Sequence, residues 1–193
     1  MVVVVDTCSL HRLVEYYLPL DKSGKLIPLL EQEFLSGDMM MTQAVFEECS
    51  RISKGVIVKR LPFLVSRQGK KLIIAADKFL PDQKLLRIVN ENFTVTQIFK
   101  SFPPEQQEAQ RANYLAGGDF SILKCAYMQK KGMAGELFGD DLRVLTDESS
   151  AENDNKLFKK IPSCCKFLEV PTLNICAYLE IITDGKIELI IKK

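Results

Sequence analysis

The sequence predicts an α/β fold, a three-layer α/β/α sandwich built around a central parallel sheet. The chain begins with Val2-Val3-Val4-Val5, a β-branched run that is typical of a strand buried on both faces. Further short apolar runs alternate with longer segments in which apolar residues recur at helical spacing, a pattern that indicates parallel strands joined by helical crossovers. The length of 193 residues suits one domain spanning residues 1–193.

Composition limits the class of protein. Hydrophobic residues make up 47% and charged residues 26%, as in an ordinary globular protein. No apolar stretch approaches the roughly 20 residues that span a bilayer, so we expect no membrane partner. Because the first strand opens the sequence, we expect no secretory signal. The six cysteines lack the spacing of a disulfide framework. We therefore expect a cytoplasmic protein.

The N-terminal elements follow from periodicity and capping. Helical spacing predicts helices over 9–17 and 26–35, each ended by a polar break that contains glycine. The run Met39-Met40-Met41 predicts the second strand. Thr42 is then expected to cap a helix over 43–53, which has apolar residues along one side.

The middle of the chain is harder to interpret. Between residues 55 and 80, short apolar runs at 56–58 and 72–74 fit strands and pieces of helix equally well. Residues 84–102 are predicted to be mostly helical, and a polar helix is predicted over 105–114.

The C-terminal part returns to a clear alternation of strand and helix. Its predicted elements are a helix over 120–131, a strand over 142–146, a polar loop over 149–156, a helix over 161–168, a strand over 171–174, a helix over 175–182 and an edge strand over 186–193.

Acidic residues occur at four matching places in this pattern. The acids that follow the strands or open the neighbouring helices are Asp6, Glu47 with Glu48, Asp119, and Asp147 with Glu148. Ligands of open α/β sheets bind beyond the carboxyl ends of the strands, so these acids are expected to gather at that edge. Carboxylates held together repel one another unless a cation intervenes, and oxygen ligands alone favour Mg²⁺ or Mn²⁺. Such a centre suits phosphodiester hydrolysis.

Each acid also has an ordinary structural explanation. Asp6 and Asp119 stand where an aspartate would serve as a helix N-cap. Glu47 and Glu48 could be solvated helix surface, and acids such as Asp147 are common at the start of a polar loop. Zinc is not expected, because the chain has one histidine and no Cys-x-x-Cys pair.

Four segments in order, VVVVDTCSL, MMMTQAVFEEC, GGDFSILKCAYM and RVLTDESS, resemble the PIN domain, a family of metal-dependent ribonucleases that includes toxins of bacterial toxin–antitoxin pairs. The segment KKIPSCCKFLEVPTLNICAYLE is similar to an uncharacterised bacterial PIN-like branch whose fourth motif is of Thr-x-Glu-Ser type. The resemblance covers nearly the whole chain, although residues 55–108 contribute no motif.

The resemblance implies catalytic, metal-binding roles for four acids. By position these are Asp6, Glu48, Asp119 and Glu148, with Asp6 and Asp119 holding the principal Mg²⁺ or Mn²⁺ ion. Glu48 fits the family spacing better than Glu47. Asp147, at the variable position of the fourth motif, is a further candidate metal ligand.

Neighbouring hydroxyls are candidates for orienting these carboxylates. They are Thr7, Thr146 and Ser149, which could donate hydrogen bonds to the ligands or could equally be ordinary polar residues at strand ends. The chain departs from the family pattern at Cys8, where serine or asparagine is usual, and at Glu148, which is longer than aspartate.

The function implied by the resemblance is a metal-dependent endoribonuclease that leaves a 5′-phosphate and a 3′-hydroxyl. The alternative is a catalytically weak or inactive PIN-fold module that binds nucleic acid or protein. If the chain is a toxin, an antitoxin partner is expected. Homodimerisation is common in the family.

A basic run predicts where RNA would lie. No acid interrupts the chain between Arg51 and Lys71, and its first cations, Arg51, Lys54, Lys59 and Arg60, are the candidate RNA contacts. The competing interpretation is a solvated helix face. A second candidate patch contains Lys156, Lys159 and Lys160.

Overall fold

The structure, a computed structural model, describes residues 1–132, 141–149 and 156–185. Within them four parallel strands form one sheet in the order β2-β1-β3-β4. The strands are β1 (Val2–Val5), β2 (Met39–Met40), β3 (Leu142–Leu145) and β4 (Thr172–Leu173). The chain is therefore α/β with an all-parallel central sheet, the sheet that a three-layer sandwich requires.

Helices make up most of the remaining described chain. The α-helices are α1 (Thr7–Arg12), α2 (Leu26–Ser36), α3 (Gln43–Arg51), α4 (Val56–Arg60), α5 (Arg67–Leu72), α6 (Gln83–Ile88), α7 (Thr96–Lys100), α8 (Pro104–Ala116), α9 (Gly118–Lys130), α10 (Ile161–Leu168) and α11 (Ile175–Thr183). None of the helices in the described ranges combines the length and apolarity needed to cross a membrane.

The order of the strands creates a crevice at one place in the sheet. The connection from β1 leads to β2 on one side, whereas the connection from β3 leads to β4 on the other. Because β1 and β3 are hydrogen-bonded neighbours, their carboxyl ends flank the point where the winding changes direction. Ligands of open parallel sheets bind at such a switch point.

The core is centred on β1, as its β-branched sequence predicts. Each of its four valines is buried, with Val3, Val4 and Val5 fully enclosed. Leu145 of β3 lies opposite Val5, so the residues that follow, Asp6 and Thr146, emerge side by side from the buried centre of the sheet.

The ambiguous stretch between residues 55 and 80 is mainly helical up to Leu72, and one strand-like contact follows. Val56–Arg60 is a helix that buries Ile57. The second apolar run ends α5 at Leu72, and Ile74 then forms a parallel bridge with Thr42, through Gln43 N–H···O=C Ile74 at 2.8 Å and Ile74 N–H···O=C Met41 at 2.9 Å.

The other predicted elements are present with small shifts of their ends. Thr42 caps α3 as expected, its side chain accepting from the Val45 N–H at 3.4 Å. The region predicted as mostly helical contains α6, a π-helical turn over Val89–Phe93 and α7. The predicted edge strand over 186–193 and most of the predicted loop over 149–156 lie outside the described residues.

Candidate active site at the switch point of the sheet

Asp6 is buried at the centre of the switch point. It follows β1 directly, its N–H donates to the Leu145 carbonyl at 2.9 Å, and only 6% of its surface is exposed. Its Oδ2 accepts from the Cys8 thiol at 2.7 Å and from the Thr146 hydroxyl at 2.9 Å. Asp6 occupies the N-cap position of α1, and its carboxylate is bonded mainly to side chains and not to the helix backbone.

The environment of Asp6 disfavours the ionised form of its carboxyl group. Burial is the largest cause and raises the pKa of Asp6, and the charge of Glu148 raises it further. The hydrogen bonds from Cys8 and Thr146 act in the opposite direction, because they stabilise the carboxylate. A buried anion that is stabilised only by neutral donors gains from the approach of a cation.

Glu48 reaches the same region from α3. Its Oε2 accepts from the Thr7 hydroxyl at 2.7 Å. Glu47 points to the surface instead, where the amide of Gln43 donates to its Oε1 at 2.9 Å. The sequence-based preference for Glu48 over Glu47 thus agrees with where the two side chains lie.

The N-terminus of α9 lies against Glu48. A Cβ added to Gly118 would lie 3.1 Å from Glu48 Oε2, so the helix backbone approaches this carboxylate closely. Asp119 follows at the second position of α9, whose N-cap is Gly117. Asp119 therefore does not cap the helix, which removes the ordinary explanation offered by the sequence.

Asp119 is electrostatically coupled to the other three acids. Its pKa is raised to about 6, first by burial of its carboxyl group among protein atoms and then by the charges of Glu148, Asp6 and Glu48. The positive charge of Lys156 acts in the opposite direction. The residue nevertheless keeps an exposed surface, so an ion from solvent can reach it.

Glu148 completes the group from the end of β3. Its Oε2 accepts from the Ile161 N–H at 3.0 Å, at the start of α10. Its own N–H donates to the Thr146 hydroxyl at 3.2 Å, the same hydroxyl that donates to Asp6. We call Asp6, Glu48, Asp119 and Glu148 the acidic cluster.

Asp147 is turned away from the acidic cluster. Its Oδ2 accepts from the Ser9 hydroxyl at 2.8 Å and from the Ile175 N–H at 3.3 Å, and its Oδ1 pairs with Arg12 at 3.4 Å. These contacts join the end of β3 to α1 and to the first turn of α11. Asp147 thus holds elements of the fold together, which differs from the metal-binding role suggested by the sequence.

The Asp147→Ala variant is expected to destabilise the fold. The hydroxyl of Ser9 and the N–H of Ile175, both in buried residues, would lose their acceptor, and each unsatisfied group of this kind costs about 1–3 kcal/mol. The check is the midpoint of urea unfolding. The Arg12→Ala variant is the control, because it removes only the long contact of a half-exposed side chain and leaves the hydrogen bonds of Asp147 to Ser9 and Ile175 in place. Equal midpoints for Asp147→Ala and the wild type would contradict this account.

The hydroxyls predicted to orient carboxylates divide into two groups. Thr7 and Thr146 donate to Glu48 and Asp6, as expected. Ser149 instead accepts from the ammonium group of Lys160 at 3.4 Å. Cys8, a departure from the family pattern, also donates to Asp6, and burial raises the pKa of its thiol to about 12, so it remains a protonated donor.

Two contributors to the site were not predicted from the sequence. Gly118 allows the close approach of α9 to Glu48, and the adjacent pair Gly117-Gly118 is the only signal of it. The backbone N–H of Ile161 holds Glu148, and no residue type in the sequence marks such a donor.

The predicted RNA-contacting cations all lie on the surface. Arg51 ends α3, the helix that carries Glu48, and Arg60 ends α4. Lys54 lies in the turn between these helices, and its carbonyl accepts from the Lys59 ammonium group at 2.7 Å. All four side chains are exposed, which leaves them accessible to a polyanion.

The acidic cluster fits a hard divalent cation in its chemistry, because its donors are carboxylate oxygens alone. The distances between these carboxylates, however, are greater than one bound ion requires. Among the described residues, no three carboxylate, imidazole or thiol groups are arranged closely enough to coordinate one ion as they lie. Coordination would therefore require rotation of side chains. Glu48 and Glu148 each have three rotatable side-chain bonds, so their carboxylates can move toward a bound ion.

Comparisons with known proteins give no independent identification: no protein-family model, curated protein or solved structure matches this chain.

Proposed function

We propose that this chain is a Mg²⁺- or Mn²⁺-dependent endoribonuclease with a PIN-like fold. The main support is the acidic cluster, in which carboxylates from four separate segments influence one another at the switch point of the sheet. Their mutual repulsion contributes to the raised pKa of Asp119. A fold maintains such repulsion most simply when a cation relieves it.

In this proposal Asp6 and Asp119 hold the principal ion, and Glu48 and Glu148 bind it directly or through water. A bound divalent ion would lower the pKa of a water molecule and stabilise charge on the phosphodiester. The task of the chain itself is to orient the carboxylates. Thr146 and Cys8 fix Asp6 by hydrogen bonds to Oδ2.

Cations close to the acidic cluster support a polyanionic substrate. Lys156 is near enough to lower the pKa of Asp119, and the ammonium group of Lys160 contacts Ser149, the residue after Glu148. Local cations of this kind can attract phosphates although the net charge of the chain is only +1.

The Thr7→Val variant is expected to lower RNA cleavage by about 10–100-fold, the usual effect of removing a hydrogen bond to a metal ligand. Valine keeps the shape of threonine but cannot donate to Glu48. The measurement is the single-turnover rate at saturating Mn²⁺. Thr96→Val, at the exposed start of α7, is a matched control for the same substitution outside the acidic cluster. Equal rates for Thr7→Val and the wild type would show that Thr7 does not position Glu48.

A second candidate function is a PIN-like module that binds RNA or protein without cleaving it. The observation that favours it is the absence of any metal-ready triad of ligands among the described residues. On this alternative, the surface cations would bind RNA equally well in EDTA and in Mn²⁺.

Cleavage assays distinguish the two candidates. Single-stranded and structured RNAs would be incubated with the protein in Mg²⁺, Mn²⁺ or EDTA, with Asp6→Asn and Asp119→Asn purified in parallel. Our proposal expects cleavage that requires the metal and is lost in both variants. Cleavage that persists in both variants, or RNA binding without any cleavage by the wild type, would refute it.

A further inference from the structure

A cavity of about 470 Å³ adjoins the acidic cluster. It runs along the edge strand β4, from Val170 to Asn174, and reaches the carboxyl end of β3 and the side of α10. Thr146 and Glu148 belong both to its lining and to the hydrogen-bonded surroundings of Asp6. A molecule in this cavity would therefore lie directly beside the proposed cleavage site. Its volume is within the range of roughly 300–1,000 Å³ that is usual for small-ligand sites.

The lining of the cavity is more polar than apolar. The polar groups come from Lys166, Thr172 and Asn174, and Pro162 and Pro171 contribute apolar surface. Such a lining suits a ligand that carries hydrogen-bonding groups and a negative charge, as a nucleotide does.

Two of the polar groups are available to a ligand. The Oδ1 of Asn174 is fixed, because it accepts from the Ala177 N–H at 2.8 Å as the N-cap of α11. Its amide N–H groups donate to no acceptor within the described part of the chain, and the exposed Lys166 has no ion-pair partner there. The cavity thus offers an anchored amide donor and a cation.

We propose that this cavity receives one nucleotide of a single-stranded RNA, next to the phosphodiester that is cleaved. Lys166 contacts a phosphate of that nucleotide, and Asn174 and Thr172 donate hydrogen bonds to the edge of its base. The assignment rests on the proposed ribonuclease function. Its specific consequence is a base preference at one fixed position relative to the cleaved bond.

The positive charge of Lys166 also offsets the repulsion between Glu148 and the phosphates of a bound RNA. Glu148, at the rim of the cavity, repels the phosphates on either side of the cleaved bond. Lys166 lies in α10, and the first residue of this helix, Ile161, donates its backbone N–H to Glu148 Oε2. A positive charge at this place offsets the repulsion where the strand must pass.

The test uses conservative variants of the lining. Asn174→Asp keeps a good N-cap but replaces the amide donor by an acceptor, and Lys166→Gln removes the charge. Lys84→Gln, on the exposed surface of α6, is the matched control. Cleavage of a randomised single-stranded RNA library, read by sequencing of the products, gives the base preference at each position.

We expect Asn174→Asp to change the preference at one position by about tenfold, the scale of one base-edge contact. Lys166→Gln should raise KM with little change in kcat and leave the base preference intact, and Lys84→Gln should behave as the wild type. Unchanged preference and unchanged KM in both lining variants would overturn the assignment.

Binding measurements keep this assignment separable from the proposed function. Asp119→Asn protein in EDTA would be crosslinked by light to short oligoribonucleotides that contain 4-thiouridine. Crosslinks to cavity residues that weaken in Asn174→Asp and Lys166→Gln would support the assignment. They would do so even if the wild type cleaves no RNA, because a lack of cleavage refutes only the proposed ribonuclease activity. Crosslinks only to residues outside the cavity, or no RNA binding at all, would overturn the assignment.

Discussion

The Asp119→Asn variant is expected to lose metal-dependent RNA cleavage almost completely. Asparagine has nearly the same shape but carries no charge and is a poor ligand for Mg²⁺ or Mn²⁺. The loss should exceed the roughly 10–100-fold expected when only a hydrogen bond to a ligand is removed. Single-turnover cleavage of an unstructured RNA, at saturating Mn²⁺, measures it.

The same substitution should not damage the fold. The pKa of Asp119 is raised to about 6, by burial and then by three neighbouring carboxylates, so its charge opposes folding at neutral pH. Removal of that charge is expected to leave the melting temperature in EDTA equal to or above that of the wild type. A variant that is inactive because it is unfolded would melt earlier, and this separates the two causes.

Glu47 and Glu48 provide a matched pair of controls for this prediction. They are adjacent on α3, but Glu47 is exposed and bonded to Gln43, whereas Glu48 accepts from Thr7. Glu48→Gln should lower cleavage strongly, and Glu47→Gln should leave it unchanged. Similar activities in these two variants would contradict the assignment of Glu48 to the acidic cluster.

Divalent ions are expected to stabilise the protein, and the effect should fade as the pH falls. At a free Mn²⁺ concentration about 100-fold above its Kd, binding to the folded state alone adds ~2.7 kcal/mol. For a chain of this size each kcal/mol raises the melting temperature by about 2–4 °C, so a shift of roughly 5–10 °C is expected at pH 7.5. Differential scanning fluorimetry with and without EDTA measures it.

The pH dependence in EDTA has a definite sign. The folded-state pKa of Asp119, about 6, lies above the usual aspartate value of 3.8, and the pKa of Asp6 is raised in the same direction. The folded protein therefore binds protons more tightly than the unfolded chain, so these groups favour folding below about pH 4 and lose that contribution as the pH rises through about 6. The metal-free protein should melt higher at pH 5 than at pH 7.5.

Two other carboxyl groups restrict the pH range in which the melting temperature of the metal-free protein reports on the acidic cluster. The pKa values of Asp21 and Asp82 are lowered, in part by hydrogen bonds from backbone N–H groups. Their stabilising contribution is lost only below their usual range, so measurements between pH 5 and pH 7.5 avoid it. A higher melting temperature at pH 7.5 than at pH 5 in EDTA, or no Mn²⁺ effect at pH 7.5, would contradict the electrostatic account of the acidic cluster.

Local sequence patterns were sufficient to predict the strands and their order of appearance. The β-branched run of β1 could be interpreted from residue type alone, because only a strand buried on both faces uses four consecutive valines well. The convergence of Asp6, Glu48, Asp119 and Glu148 followed from parallel topology, since the carboxyl ends of parallel strands share one edge of the sheet.

Contacts between distant segments could not be predicted in the same way. The direction in which Asp147 points depends on its acceptance of hydrogen bonds from Ser9 and from the N–H of Ile175, and neither partner is marked in the sequence. The run 72–74 was ambiguous for a similar reason. Its last residue, Ile74, leaves the helical pattern because its backbone hydrogen-bonds to Met41 and Gln43 just beyond β2, a tertiary contact that periodicity does not contain.

The departures from the PIN pattern acquire a physical meaning in the structure. The thiol of Cys8 occupies the place of a hydroxyl or amide and still donates to Asp6. Glu148 reaches back from the end of β3 to accept from the Ile161 N–H, a contact that suits a side chain longer than aspartate. Both replacements are therefore compatible with an ordered acidic cluster.

The location of bound Mn²⁺ tests the central claim most directly. Crystals of the protein grown with Mn²⁺ would be measured at a wavelength where manganese scatters anomalously. Our account predicts an anomalous peak between the carboxylates of Asp6 and Asp119, absent from crystals of the Asp119→Asn variant. A peak elsewhere on the molecule, or none at a saturating concentration of Mn²⁺, would contradict it.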